Sequence, residues 1–395
     1  MIPYGRQTIN ETDVAAVAET LKSGWLTTGP KVAEFEQKFA ACVGAKHAIA
    51  VNNGTSALHL AMLAAEIGPG DRVVTSPNTF LASANCAAFV GATPDFVDVD
   101  PVSYTLCPKT LEANWQDDTR AVVAVDYAGQ SAEMPSIASV TREHNAIVIE
   151  DACHAIGGQF AHDGKKYSIG GHPWADMTTY SFHPVKTMTT GEGGMVVTDN
   201  EALADRCRTL RHHGMVRTPA QCSGLGDPRF DEKGPWYYEM PELGFNFRIT
   251  DFQCALGIRQ LDRLDEFCKR RREIRSQYNE AFADLANVQL PKMRNVADEP
   301  LTSWHLYTLQ IDFAAIGRTR TEVMLGLRED GVGTQVLYIP VHLQPWYRAT
   351  YGYGVGKCPV AEEVYLRSLS IPMYPTMTDA DVATVIAKVR ACLSS

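Results

Sequence analysis

The run Ser181-Phe182-His183-Pro184-Val185-Lys186-Thr187-Met188-Thr189-Thr190-Gly191-Glu192-Gly193-Gly194 sets a single lysine among small, hydroxylated and glycine residues. Met177–Phe182 before it and Met195–Thr198 after it read as strands from their β-branched and aromatic content. Lys186 therefore falls on the kind of irregular connection where a sheet presents reactive groups. A lysine that loses solvation there is a nucleophile near neutral pH and condenses with an aldehyde to a Schiff base. Taken alone, Lys186 is better read as one exposed loop lysine among many, so other residues must decide.

Three further pieces supply what a flat, phosphorylated aldehyde would need. After the apolar strand Ala48–Val51, Asn52-Asn53-Gly54-Thr55-Ser56 opens an apolar-periodic helix. Gly54, Thr55 and Ser56 there form a phosphate seat at the positive end of a helix dipole, with an ordinary N-cap by Thr55 or Ser56 as the alternative. Asn78-Thr79-Phe80, just past the strand Arg72–Thr75, offers an aromatic that either covers one face of a ring or packs in the core. Glu150-Asp151-Ala152-Cys153-His154 puts a carboxylate at the C-terminal end of the strand Ala146–Ile149, the ligand edge of an α/β sheet. Asp151 either caps a helix or keeps a pyridine nitrogen protonated, which makes the ring an electron sink. In chain order, phosphate turn, aromatic, strand-end Asp151, strand-end Ser181 and Lys186 together point to pyridoxal 5′-phosphate.

The elements that must position these groups follow from the hydrophobic rhythm. Between about 45 and 200, β-rich runs alternate with amphipathic stretches, which predicts a mainly parallel sheet with helices on both faces. Strands are expected at Ala48–Val51, Arg72–Thr75, Asp95–Val97, Ala121–Val125, Ala146–Glu150, Met177–Phe182 and Met195–Val197, and helices near 31–42, 56–66, 80–89, 133–144 and 200–213. Gly29-Pro30 starts the first of these helices and Gly44 stops it. His162-Asp163-Gly164-Lys165-Lys166 lacks the Walker glycine spacing and reads as a hairpin turn. Residues 214–240 read as a long excursion, and Thr250–Ala281 as one long helix leading to a second domain. This places a large domain with an N-terminal arm at 1–250 and a smaller α+β domain at 251–395.

Composition excludes several function classes. The 395 residues are 45% hydrophobic and 21% charged, ordinary for a globular enzyme and unlike a fibrous or disordered chain. A formal charge of −10 works against broad nucleic-acid or anionic-membrane binding, so a ligand phosphate must be held by local donors. The ten cysteines show no C-x-x-C pair and no zinc spacing, and read as core residues of a reducing cytoplasm; no metal is expected. The first residues lack a secretion-signal h-region and no run is long enough to span a membrane, so a cytoplasmic protein is expected.

The order of these pieces resembles fold-type-I pyridoxal phosphate enzymes, in which a seven-stranded sheet cradles the cofactor between two subunits. The local wording is similar to the DegT-type sugar aminotransferases over nearly the entire chain. Gly24 to Pro30, Asn53 to Leu58, Glu150 to Ala155, Ser181 to Gly194 and Gly244-Phe245-Asn246-Phe247-Arg248-Ile249 carry the likeness. Ile2 to Gln7, Ser303 to Tyr307 and Tyr338 to Pro345 resemble the members that act in pseudaminic acid formation, which aminate C4 of a UDP-linked 4-keto-6-deoxy-N-acetylhexosamine.

What the resemblance implies is specific. Lys186 would carry the cofactor, where relatives with histidine at this position dehydrate instead. Asp151 would pair with the ring nitrogen, His154 with the ring hydroxyl, and Phe80 would stack on the ring. Gly54, Thr55, Ser56 and Ser181 would hold the phosphate, and Asn246 would reach the phosphate site of the neighbouring subunit, which implies a homodimer with shared sites. Sugar-nucleotide contacts would come from Tyr4, Trp25, Leu26, Thr27 and Tyr338, with plain packing an open alternative for Trp25 and Tyr338. L-Glutamate would be the amino donor. Asn53 for the usual serine, His154 for the common Gln, and the longer Gly170-Gly171-His172-Pro173-Trp174 depart from the family pattern, the last as a segment able to reshape sugar access. Amination of a dTDP- or GDP-linked keto sugar is one alternative. A pyridoxal phosphate lyase or desulfurase, for which Cys153 and Arg248 are the nominal thiol and arginine, is another, and a catalytically silent sugar-sensing relative is a third.

Overall fold

The computed structural model describes residues 1–230 and 234–393. Residues 231–233 of the expected excursion and 394–395 of the expected C-terminal domain lie outside the described residues. The described residues form a seven-stranded sheet, a three-stranded sheet and a two-stranded hairpin. The strands are β1 (His47–Val51), β2 (Arg72–Thr75), β3 (Thr93–Phe96), β4 (Thr119–Val125), β5 (Ile147–Asp151), β6 (Gln159–His162), β7 (Lys165–Ser168), β8 (Met177–Ser181), β9 (Gly194–Thr198), β10 (Val288–Gln289), β11 (Tyr307–Ile311) and β12 (Ser368–Ile371).

The large sheet has the order β1-β9-β8-β5-β4-β2-β3. Its β2–β3, β2–β4, β4–β5 and β5–β8 pairs are parallel, and β9 runs against both β8 and β1. All strands but β9 therefore end on one edge, which is what brings distant sequence segments to one site. Near-continuous apolar runs such as Ala121 to Ala124, all fully buried, suit strands covered on both faces. Ile49, Val123 and Ile149 pack with Leu58 and Ala61 on one face, while Val122, Ala124 and Val148 pack with Met134 and Ile137 on the other.

The helices that bear on the site are α1 (Glu11–Lys22), α2 (Pro30–Val43), α3 (Gly54–Ala64) and α4 (Ala82–Phe89). Pro30 begins α2 and Gly44, at φ 83°, ends it as expected. Asp163 and Gly164 both adopt positive φ in the turn between β6 and β7, the geometry of a tight hairpin turn. The single helix expected over Thr250–Ala281 is two, Asp251–Leu261 and Leu264–Phe282. The apolar stripe runs on through the break, so periodicity alone does not mark it.

Beyond residue 282, β10, β11 and β12 form an antiparallel sheet whose apolar side packs with Tyr278, Phe282, Val382 and Val385. Among the described residues, no helix is long and apolar enough to cross a membrane, and no group of three or more His, Cys, Asp or Glu residues could hold a metal.

Candidate active site

The C-terminal ends of β1, β5 and β8 open into one cavity of about 800 Å³, within the usual range of about 300–1,000 Å³ for small-molecule sites. Gly54, Thr55, Ser56 and Ser181 line it, as do Asp151, His154 and Lys186. Phe80, Tyr4 and Tyr338 complete the set of expected residues that meet there. Strand-end placement explains the convergence of segments more than 100 residues apart.

Lys186 is half-buried on the loop after β8, where its N–H donates to the His183 carbonyl at 2.8 Å. The hydroxyls around it hold the loop rather than the amine. Thr189 donates to the Phe182 carbonyl at 2.8 Å and Thr190 to the Glu192 carbonyl at 2.7 Å. The Lys186 amine has no hydrogen-bond or ion-pair partner among the described residues. Burial holds its pKa below the ordinary lysine value, opposed by the Asp151 carboxylate nearby.

Asp151 closes β5 and is 4% exposed. Its Oδ2 accepts a 2.6 Å bond from Ser83 Oγ, and its Oδ1 a 3.1 Å bond from the Cys153 N–H. The short hydroxyl contact is the geometry of a charge-assisted bond to a carboxylate. Thr79 Oγ1 lies 2.7 Å from Ser83 Oγ, so with the Ser83 proton committed to Asp151 the chain runs from Thr79 through Ser83. Ser83 was not expected from the sequence. Its signal is a hydroxyl placed one turn after Phe80 in an otherwise alanine-rich helix, α4.

The start of α3 is capped differently from either residue named in the sequence alternative. Neither Thr55 nor Ser56 caps α3; Asn53 does, its Oδ1 accepting the Ser56 N–H at 2.8 Å. The N–H groups of Gly54 and Thr55 and the hydroxyls of Thr55 and Ser56 are left without hydrogen-bond partners among the described residues. Glycine at 54 is required by close approach, because a Cβ there would sit 2.8 Å from Ser181 Cβ. His154 Nε2 lies 3.1 Å from the Tyr338 hydroxyl, while its Nδ1 is buried with no partner. Burial, with Lys186 beside it, pushes the His154 pKa well below the ordinary value, so the ring is neutral. His305, whose ring centroid is 4.4 Å away, is held neutral the same way.

Free donors at a helix N-terminus, an unpaired amine, a buried carboxylate and an orphaned imidazole nitrogen match the phosphate, aldehyde, ring nitrogen and ring hydroxyl of pyridoxal phosphate. Phe80 is half-exposed, its ring centroid 6.1 Å from that of Tyr338, so the two aromatics flank the cavity.

Four expected residues do not reach the cavity within one chain. Trp25 lines a separate small hollow with Pro30 and Asp251. The Leu26 carbonyl accepts the Asp251 N–H at 3.0 Å, and Thr27 makes a backbone bridge to Thr250. Asn246 is exposed outside the cavity, and its amide makes no hydrogen bond among the described residues. The Gly170–Trp174 segment does not line the cavity either; it turns to the opposite face of the sheet, where His172 is buried against Glu150. Arg248 bonds His212 Nδ1 at 2.7 Å and also lies outside the cavity, whereas Cys153 lines it.

A lysine, a strand-end carboxylate and a helix N-terminus on a seven-stranded sheet with one reversed strand define a fold-type-I, pyridoxal-phosphate-dependent aminotransferase architecture. The chain belongs to the DegT/DnrJ/EryC1/StrS aminotransferase family, whose model matches residues 7–390. These are pyridoxal-phosphate-dependent enzymes, and the chain is a sugar aminotransferase of that family. It is 44% identical over 390 residues to the spore coat polysaccharide biosynthesis protein SpsC of Bacillus subtilis, covering 98% of this chain and 96% of SpsC. The structure is similar to Helicobacter pylori PseC, an aminotransferase involved in the biosynthesis of pseudoaminic acid, with TM-score 0.88, 26% identity and coverage of 100% and 99%. It is also similar to the pyridoxal phosphate form of the putative sugar aminotransferase Spr1654 from Streptococcus pneumoniae, with TM-score 0.87, 25% identity and coverage of 100% and 98%.

Proposed function

We propose that this chain moves an amino group from L-glutamate to C4 of a UDP-linked 4-keto-6-deoxy-N-acetylhexosamine, in the formation of pseudaminic acid or a related surface sugar. The observation that carries the reading is one cavity of about 800 Å³ lined by Lys186, Asp151, Tyr4 and Tyr338, large enough for a hexose beside the cofactor. Likeness to PseC and SpsC over whole chain lengths supports the amino sugar and the surface polysaccharide.

Bound in the cavity, pyridoxal phosphate supplies a carbonyl carbon to take up the amino group and an electron-withdrawing ring. Gly54, Thr55, Ser56 and Ser181 bind its phosphate with N–H and hydroxyl donors at the positive end of α3. Asp151 holds a proton on the pyridine nitrogen, and Ser83 keeps that carboxylate in place. His154 would serve the ring hydroxyl, and Phe80 would cover a ring face. The Lys186 amine, made less basic by burial, takes the proton from Cα of L-glutamate and, in the second half of the reaction, delivers one to C4 of the sugar. Residues 1–250 are read as the large cofactor domain with its N-terminal arm and 251–395 as the small domain.

The lyase alternative loses ground on the same residues. Burial, with Asp151 beside it, pushes the Cys153 thiol well above its ordinary pKa, so it stays protonated and is a poor nucleophile.

A homodimer with shared sites belongs to the same proposal. Trp236, Tyr238, Met240 and Leu243, which precede Asn246 in the chain, are exposed, as are Trp25 and Leu26, and a second subunit would cover such side chains. Asn246→Ala is expected to lower pyridoxal phosphate affinity roughly tenfold to 150-fold, the loss of one hydrogen bond to a charged group worth about 1.5–3 kcal/mol. Fluorescence titration of cofactor-free protein measures it, and unchanged affinity counts against a shared site. The substrate is tested by incubation with UDP-, dTDP- and GDP-linked 4-keto sugars and L-glutamate. Amination of the UDP-linked N-acetyl sugar in preference to the others is expected; preference for the dTDP sugar overturns the nucleotide assignment.

A further inference from the structure

Behind Asp151, on the other face of the sheet, lies a second set of buried acids that the reaction above does not use. The β4–β5 register pairs Ala124 with Glu150 and Val125 with Asp151. Side chains alternate along a strand, so Asp126, one residue past Val125, shares the face of Glu150, and Asp151 takes the face of the cavity. The Asp126 N–H donates to the Asp151 carbonyl at 3.1 Å, so the acids are tied through one backbone bond. Asp126, Glu150 and the His172 side chain are all fully buried.

The hydrogen bonds decide which of the two carboxyls bears charge. Glu150 Oε2 accepts the Thr178 hydroxyl at 2.9 Å and the Gly170 N–H at 3.1 Å. His172 Nδ1 accepts the Trp174 N–H at 3.3 Å, which leaves the ring proton on Nε2, 3.0 Å from Glu150 Oε1. Glu150 thus receives three donors, the environment of a carboxylate. Asp126 receives one, the Ala132 N–H on Oδ1 at 2.7 Å, and its Oδ2 is buried with no donor at all. The groups acting on or with Asp126 are Glu150 and Asp151 of β5, Cys153 beyond it and Tyr180 of β8, none of them a cation. His172 meets Glu150 instead. Burial and the Glu150 charge raise the Asp126 pKa well above the carboxyl range, in agreement with this count.

We propose that Asp126 is a positioning residue held as the neutral acid, donating its Oδ2 proton to Glu150, with His172 clamping Glu150 from the far side. Asp151 is then left as the one carboxylate of the β4–β5 strand ends turned to the cofactor. The segment around His172 serves this network rather than sugar access. The protonation of Asp126 does not rest on the role assigned to Asp151; its benefit to the cofactor does.

The test separates the two. In cofactor-free protein at neutral pH, infrared difference spectra of wild type against Asp126→Asn are expected to show one protonated-carboxyl band that the variant lacks. A group whose folded pKa is raised loses stability as pH climbs from its unfolded pKa, about 3.9, toward the folded value, and asparagine does not titrate. Asp126→Asn is therefore expected to match wild type in Tm near pH 4 and to exceed it increasingly as pH rises. In the holoenzyme, Asp126→Ala is expected to move the pH midpoint of the visible cofactor band and Asp126→Asn to restore it. No protonated-carboxyl band, or an Asp126→Asn variant that falls below wild type in Tm as pH rises, overturns the proton. A midpoint unmoved in Asp126→Ala overturns the positioning role while leaving the proton standing.

Discussion

Replacement of Lys186 by alanine yields a folded protein that takes up pyridoxal phosphate without covalent attachment and releases no measurable 2-oxoglutarate from L-glutamate. The expectation of an intact fold rests on the Lys186 amine having no hydrogen-bond or ion-pair partner among the described residues. Its loop is held by Thr189 and Thr190 instead. Removal of a half-buried amine from an unpaired site relieves desolvation and breaks no bond, so Tm is expected to stay within a few degrees of wild type. The catalytic loss is large because both the attachment point and the proton carrier go together. General acid–base catalysis alone is worth about 10²–10⁴-fold, so kcat is expected to fall by at least about 10³-fold. Added methylamine should restore part of the proton transfer. The checks are the visible spectrum and the 2-oxoglutarate assay, and a Lys186→Ala enzyme within tenfold of wild type refutes the assignment.

Asp151→Ala produces the second large effect, through the ring rather than the amine. With the carboxylate gone, nothing on the cavity side of β5 holds a proton on the pyridine nitrogen, and the ring loses its capacity to accept electrons from the breaking Cα–H bond. A preorganised electrostatic partner of this kind is worth roughly 10²–10³-fold in kcat. Lys186 remains, so covalent attachment of the cofactor is expected to persist while turnover collapses. That split distinguishes the two residues: Lys186→Ala loses attachment, Asp151→Ala keeps it. Ser83 would lose its acceptor, so a modest fall in Tm accompanies the change. Single-turnover reaction with Cα-deuterated L-glutamate reads the step directly, and an unchanged rate of α-proton removal would contradict the role given to Asp151.

Much of this was legible in the sequence because it depends on strand ends. β-rich runs fix where strands stop, and the positions just beyond are where a parallel sheet puts its ligands. Thus Gly54, Asp151, Ser181 and Lys186 meet as expected although the chain separates them widely. Contacts made by side chains across the fold left no such mark. Ser83 reaches Asp151 from α4, and its one local mark, a hydroxyl a turn after Phe80 in an alanine-rich helix, does not say which carboxylate it meets. Asn53 takes the cap that the sequence offered, as the alternative to a phosphate seat, to Thr55 or Ser56, which turns on one rotamer and not on composition. The longer 170–174 segment was read as able to reshape sugar access. Here His172 and Glu150 satisfy each other in the core and draw it inward. The helix break after Leu261 was missed because both halves share an apolar stripe. Trp25, Leu26, Thr27 and Asn246 stay outside the cavity of one chain, which their place in the sequence does not reveal.

The central claim is a covalent site at one nitrogen, and borohydride reduction of the purified holoenzyme followed by peptide mass spectrometry tests it most directly. The reduced cofactor is predicted on the peptide that carries Lys186 and on no other. Recovery of the adduct on any other lysine, or of no adduct from a yellow protein, would contradict the account.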